Sequence, residues 1–173
     1  MASYYYLISS LPMLKSDGEL PFSYRSFLEL CASSVSPSVL QSLKELDVIS
    51  GQGPLLSDWS RYYGSLMREL NYQRNLRLGK QARQPEDRNP AAVSSAAAAM
   101  SAKNPLEAEL FLLTAEFKQL DELVSMHYFD EWVLFGYAVK LKLLERLQSF
   151  RHDEGKEEFH KLFDEIQQKI LSI

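Results

Sequence analysis

The sequence predicts an all-α protein, a helical bundle of about six to seven helices. Three observations predict it. Apolar residues recur at steps of three and four over most of the chain, several of these runs start on a capping residue followed by proline, and strict two-residue alternation is nowhere sustained. The long helices fall near 58–78, 105–126, 130–149 and 154–171. At 173 residues the chain fits a single domain, 1–173. Its 46% hydrophobic and 24% charged residues are enough to build a core and a solvated surface.

The opening "SYYYLISSLP", residues 3–12, favours a strand by propensity. A lone strand has no partner in a helical chain, so the stretch is read as a short helix or a docked extended arm. Pro12, Asp17-Gly18 and Pro21 end it near Leu11. Ser23 caps a helix through Phe27, Leu28, Leu30 and Cys31. Ser36-Pro37 starts another, with Val39, Leu40, Leu43 and Leu46 at helical spacing until Ile49. "SGQGP" at 50–54 is a loop.

Ser57-Asp58 opens the first long helix, with a stripe of Trp59, Tyr62, Tyr63, Leu66 and Leu70, and Gly79 stops it. The polar segment 80–90, with two prolines, reads as a linker. The alanine-rich segment 91–102 is either a close-packed helix or a second linker, because alanine favours helix but brings little apolar area. Asn104-Pro105-Leu106-Glu107 combines cap, first-turn proline and a glutamate that reaches back. Leu106, Leu110, Leu113, Phe117, Leu120 and Val124 then form a seam that should face another helix. Asp130 caps the next helix, apolar nearly all round and so central, with Lys140, Lys142, Glu145 and Arg146 emerging at its far end. A final amphipathic helix groups Phe159, Leu162, Phe163, Ile166 and Ile170.

Composition narrows the function. A net charge of −4 is too mild for strong attraction to nucleic acid or an anionic membrane. The single cysteine, Cys31, forms no intrachain disulfide and no cysteine metal cage, and on its apolar face it reads as a small buried hydrophobe. The opening stretch lacks a positively charged start, and Tyr4–Ile8 is shorter than the about 7–15 apolar residues of an export signal. No segment approaches the about 20 apolar residues that span a bilayer. These features predict a cytoplasmic protein without direct membrane insertion.

Catalysis has little to work with. His127 sits at a helix–helix junction, where it could close a helix C-terminus through its ring; His152 lies in a polar turn. His160 shares a face with Glu157 and Asp164, as amphipathic helices often do. Gly51 and Gly53 lack the lysine and Ser/Thr of a phosphate loop, and no serine sits in a nucleophile elbow. The carboxylates fall on exposed faces. The expectation is therefore no enzyme, no catalytic residue, no cofactor and no metal. One charge feature stands apart: Arg74, Arg77, Lys80, Arg83 and Arg88, offset only by Glu86 and Asp87. It is either a solvated helix end that complements the dipole or a docking surface for an acidic partner; Arg74, Arg77, Lys80 and Arg83 are the candidate partner contacts.

Several motifs occur together: "SYYYLISSLP" at 3–12, "NPLEAEL" at 104–110, "LDEL" at 120–123, "HYFD" at 127–130 and "KLKLLER" at 140–146. In order and spacing, over nearly the whole chain, this pattern resembles an uncharacterised bacterial family encoded with V-type ATPase genes. That family is distantly similar to the C subunit of the V-type ATPase, called d in eukaryotes. The resemblance implies a non-enzymatic helical adaptor coupling the central stalk to the membrane rotor ring, cytoplasmic and peripheral to the membrane through its partner subunits. The alternative is an assembly or regulatory binding protein of the same ATPase. On the adaptor view Tyr4 and Tyr5, with Tyr6, pack as a helix into the bundle or against a partner.

Overall fold

The computed structural model describes residues 4–49, 51, 53 and 55–148. Among these residues the chain is all-helical, with seven helices and no strand: α1 (Tyr5–Ser10), α2 (Tyr24–Ala32), α3 (Pro37–Lys44), α4 (Leu56–Arg77), α5 (Pro90–Met100), α6 (Pro105–Val124) and α7 (Glu131–Gln148). The final helix expected over 154–171, with His152 and His160, lies outside the described residues. No described helix is long and apolar enough to cross a membrane.

Local chemistry starts most helices where the sequence places them. Ser23 Oγ accepts from the Ser26 N–H at 3.2 Å, and Ser36 Oγ from the Val39 N–H at 3.4 Å, with Pro37 in the first turn. Asn104 Oδ1 accepts from the Glu107 N–H at 2.8 Å. The Glu107 carboxylate reaches back one residue beyond the cap, to the Lys103 N–H at 2.7 Å. At the end of α4, Gly79 takes φ +69°; its N–H donates to Leu76 O and that of Lys80 to Asn75 O. This closes the helix in the doubly bonded turn that favours glycine. The opening stretch is helical, because no partner strand exists among the described residues to satisfy an extended backbone.

The α6–α7 hairpin is the centre. α7 touches α2, α3 and α6, while α6 also touches α4 and α5, so the α2–α3 and α4–α5 pairs flank it on two sides. One continuous core results, with Phe27, Leu43, Trp59, Leu66, Leu113, Leu120, Phe135 and Leu141 fully enclosed. Fully burying side chains of this size contributes about 1.5–3 kcal/mol each. At the hairpin's closed end α6 and α7 meet so tightly that a Cβ on Gly136 would lie 2.9 Å from Val124 Cγ1.

Several boundaries and faces differ from the sequence reading. α4 begins one to two residues before Ser57-Asp58, on Leu55. This residue takes φ +65° and offers no side-chain cap, but its side chain is fully buried. The left-handed backbone there is tolerated because the core holds the leucine in place. α3 stops at Lys44, so Leu46 reaches the core from outside the helix. Trp59 Nε1 donates to Val48 O at 2.9 Å, which ties the first turn of α4 to the chain after α3. The alanine-rich segment is a close-packed helix: Ala92, Ala96 and Ala99 are buried where α5 meets α4 and α6. Small side chains permit that close approach. The far end of segment 80–90 is anchored to α4: Arg88 pairs with Glu69 and the Asn89 N–H donates to Ser65 Oγ at 3.3 Å. The α6 seam is only partly covered: Leu113, Phe117 and Leu120 are buried, whereas Leu106 and Leu110 are 47% and 40% exposed.

Candidate functional site

The candidate residues fall into two surface groups and one internal group. The first group stands at the end of α4. Arg74 and Arg77 occupy its last turn, where cations complement the carbonyl end of the dipole. Arg77 Nη1 also donates to Met100 O at 3.2 Å, so it binds the C-terminal end of α5. Arg83 pairs with Glu86 on the surface, and Arg88 turns inward to Glu69. Arg74 and Lys80 are exposed and make no ion pair among the described residues. The basic run is therefore not one continuous patch, since Arg88 turns inward to Glu69 and Arg83 is paired with Glu86. Between α4 and segment 81–87 lies an open polar groove of about 740 Å³, lined by Arg68, Asn71, Tyr72, Asn75 and Arg83 among others.

The second group is aromatic. Tyr4 is buried, and its backbone N–H donates to Phe129 O at 2.7 Å, so it holds α1 onto the turn between α6 and α7. Burial, with the Glu131 carboxylate nearby, pushes its hydroxyl pKa up. Tyr4 has no surface left for a partner. Tyr5 is 51% exposed and packs its ring against Phe129 at 4.7 Å, and Tyr6 is almost fully exposed. Phe129 takes φ +53°, an unusual backbone for an aromatic residue. Exposed Met126 and Tyr128 lie in the same turn.

His127 does not close α6 with its ring. Its Nδ1 lies 2.7 Å from Asp130 Oδ2, and the imidazole stacks on Trp132 at 4.4 Å. The other Asp130 oxygen, Oδ1, accepts from the Val133 N–H at 3.2 Å and so caps α7. One carboxylate thus fixes both the histidine and the helix start. The Cys31 thiol is fully buried and pushed up to about 11 by desolvation, the state of an unreactive core residue. Among the described residues no three His, Cys, Asp or Glu side chains converge as metal ligands.

The internal group escapes a reading that places carboxylates on exposed faces. Glu69 and Glu116 are buried. Arg88 reaches Glu69 with two parallel donors, Nε to Oε2 at 3.0 Å and Nη2 to Oε1 at 2.7 Å. Gln73 Nε2 adds a third at 3.0 Å. The Arg88 bonds hold the Glu69 carboxyl below the usual carboxylate range, against the opposing effect of burial. Glu116 receives Arg146 Nη2 at 3.1 and 3.4 Å, while Arg146 also faces Glu109 at 3.5 Å and donates from Nη1 to Tyr63 Oη at 3.3 Å. Here burial prevails over Arg146 and pushes the Glu116 carboxyl up to about 7. A sequence signal for both exists. Each glutamate follows a stripe leucine by three residues and directly precedes a stripe residue: Leu66-Glu69-Leu70 and Leu113-Glu116-Phe117.

The far-end charges of α7 are likewise engaged. Lys140 pairs with Asp121 at 2.5 Å, Lys142 Nζ donates to Leu46 O, and Glu145 Oε1 accepts from the Tyr24 N–H at 2.6 Å. They tie α7 to α6, to the chain after α3 and to α2. No family model matches the chain, and no curated protein or solved structure matches it either.

Proposed function

We propose that this chain is a non-enzymatic adaptor of a bacterial V-type ATPase, similar to its C (or d) subunit, coupling the central stalk to the membrane rotor ring. The resemblance in the motifs at 3–12, 104–110, 120–123, 127–130 and 140–146 supplies the family, and one structural observation supports the mechanical role. The two buried carboxylates among the described residues join separate parts of the bundle: Glu69 of α4 pairs with Arg88 just before α5, and Glu116 of α6 with Arg146 of α7. A part that transmits torque must resist shear between its helices. Close packing resists compression, and cross-links of this kind resist sliding. What remains for partners is the surface: Arg74 and Lys80 at the end of α4, and Tyr5 and Tyr6 beside the α6–α7 turn. On this reading the protein sits at the cytoplasmic face and meets the membrane only through other subunits.

Purification of the intact, ATP-hydrolysing complex at native expression tests it. The chain should be present at a fixed ratio to the stalk subunits. If it occurs with partly assembled complexes and is absent from the mature one, it is an assembly or regulatory protein. If it is absent from both, the ATPase role is wrong.

A further inference from the structure

Along α4 the polar residues Arg61, Ser65, Arg68, Tyr72 and Asn75 recur at steps of four and three, with Asn71 beside them. Residues 81–89 run opposite this face. Between the two lie open grooves of about 740 and 500 Å³ that share Arg68, Glu86 and Asp87, and so join into one trough. From Arg61 to Asn75 it follows the helix for about 21 Å, the length of about six residues of extended chain. Ala82, Pro85 and the Tyr72 ring supply what is apolar in its lining, and Arg88 already lies over that ring at 5.9 Å. An apolar anchor finds no seat here, so the trough suits a polar occupant.

Both walls are short of partners. Arg68, Asn71, Asn75, Gln81 and Gln84 make no side-chain hydrogen bond or ion pair among the described residues. From Gln81 to Glu86 no backbone N–H or C=O is hydrogen-bonded among them either. That stretch is nevertheless held at its two ends. The Lys80 N–H donates to Asn75 O at 3.0 Å, and at the other end Arg88 pairs with Glu69. A wall fixed in this way loses little freedom when something docks on it. An amide side chain offers both a donor and an acceptor, as does every peptide unit. Asn71 and Asn75 on one wall, with an unpaired stretch of backbone on the other, are therefore the complement of a polypeptide main chain. Glu86 and Asp87 oppose a polyanion, whereas Arg68 has no carboxylate of its own and accommodates a single acidic group.

We propose that the trough between α4 and residues 81–89 binds an extended segment of a partner polypeptide, about six residues long, which pairs its main chain with residues 81–86, Asn71 and Asn75 and sets one acidic side chain against Arg68. Nothing in this chemistry depends on the ATPase role, and Arg74 and Lys80 stand outside the lining.

Peptide selection on the intact protein tests it. Short randomised peptides displayed on phage are selected against the immobilised full chain, and the enriched sequences are synthesised and titrated by fluorescence anisotropy. They should carry Asp or Glu, and should lose about tenfold or more in affinity to Arg68→Glu and to Asn71→Ala with Asn75→Ala. A peptide whose acidic residue is exchanged for lysine should regain affinity for Arg68→Glu. Methylating the central peptide nitrogens should weaken binding to the original protein, because it removes main-chain donors and leaves the charge unchanged. The variants should melt within a few degrees of the original, since the altered side chains have no partner to lose. The proposal falls if no peptide is enriched, or if the enriched peptides bind the variants as tightly as the original. Peptides that raised salt releases and that methylation leaves unaffected also overturn it, because they are then held by charge alone. Should Arg68→Glu fail to fold, Arg68→Gln carries the same comparison.

Discussion

Glu69–Arg88 and Glu116–Arg146 use the same two residue types, in both cases with a buried carboxylate and an arginine about one-third exposed. They nevertheless reach opposite electrostatic states. Glu69 meets the flat edge of its guanidinium, two bonds in parallel, with Gln73 as a further donor. Glu116 meets one nitrogen split between its two oxygens, on an arginine divided with Glu109 and Tyr63. The first carboxyl is held low by its hydrogen bonds and the second is driven up by burial. An arginine nearby is therefore not enough. The number and alignment of donors decide whether a buried carboxylate stays ionised.

The largest expected effect comes from taking away the divided arginine. Arg146→Met leaves Glu116 buried without this partner, and breaking such a pair costs about 3–5 kcal/mol. Urea unfolding at pH 8 should show a loss near the low end of that range, since Arg146 is partly solvated. At pH 5.5 the loss should shrink, because Glu116 can take a proton and no longer buries a charge. Equal losses at the two pH values would mean that Glu116 is neutral, or ionised, throughout.

A smaller effect separates the two carboxylates by the sign of their pH dependence. Glu116 in the folded state binds a proton more readily than the unfolded carboxyl, whose pKa is near 4.5. Its contribution therefore favours folding at low pH and is lost as pH rises from about 4.5 through about 7. Glu69 has the opposite sign. Its contribution is present above about 4.5 and is lost as pH falls through its lowered folded value. Melting curves should show Glu116→Gln flattening the neutral window and Glu69→Gln flattening the acid side. A change of about 1 kcal/mol corresponds to about 2–4 °C in a chain of this size. If both substitutions flatten the same window, the distinction drawn from donor geometry is wrong.

These pairs also mark where the sequence stops being readable. Helix starts set by side chains within three residues of the backbone they satisfy are legible: Ser23, Ser36, Asn104 and Asp130 all cap as expected. Asn89-Pro90 obeys the same grammar as Asn104-Pro105, with Asn89 Oδ1 accepting from the Ala91 and Ala92 N–H groups, but its polar neighbours give it the look of a linker. The start of α4 is not legible, because Leu55 is fixed by burial at φ +65° and carries no capping group. At the start of the α6 seam Leu106 and Leu110 are exposed among the described residues, since spacing identifies a stripe but not what lies on it. The inward turn of Arg88 is hidden for the same reason. Its partner Glu69 is 19 residues away, and nothing local distinguishes it from Arg74.

That contrast gives the smallest effect and the last test. Arg74 and Arg77 sit on the surface, where Arg77 contributes one bond to Met100 O and Arg74 makes no ion pair among the described residues. Exposed substitutions of this kind usually change stability by less than about 0.5 kcal/mol each. Arg74→Glu with Arg77→Glu should therefore leave the melting temperature within a few degrees of the original, in contrast to Arg146→Met. If the end of α4 is a docking surface for an acidic partner, the same double reversal should weaken co-purification with the ATPase, and raised salt should weaken the original in the same direction. A large fall in melting temperature would make these arginines part of the scaffold, like Arg88 and Arg146. Unchanged stability with unchanged binding would move the partner contact away from α4, leaving Tyr5 and Tyr6 beside Phe129 as the surface to alter next.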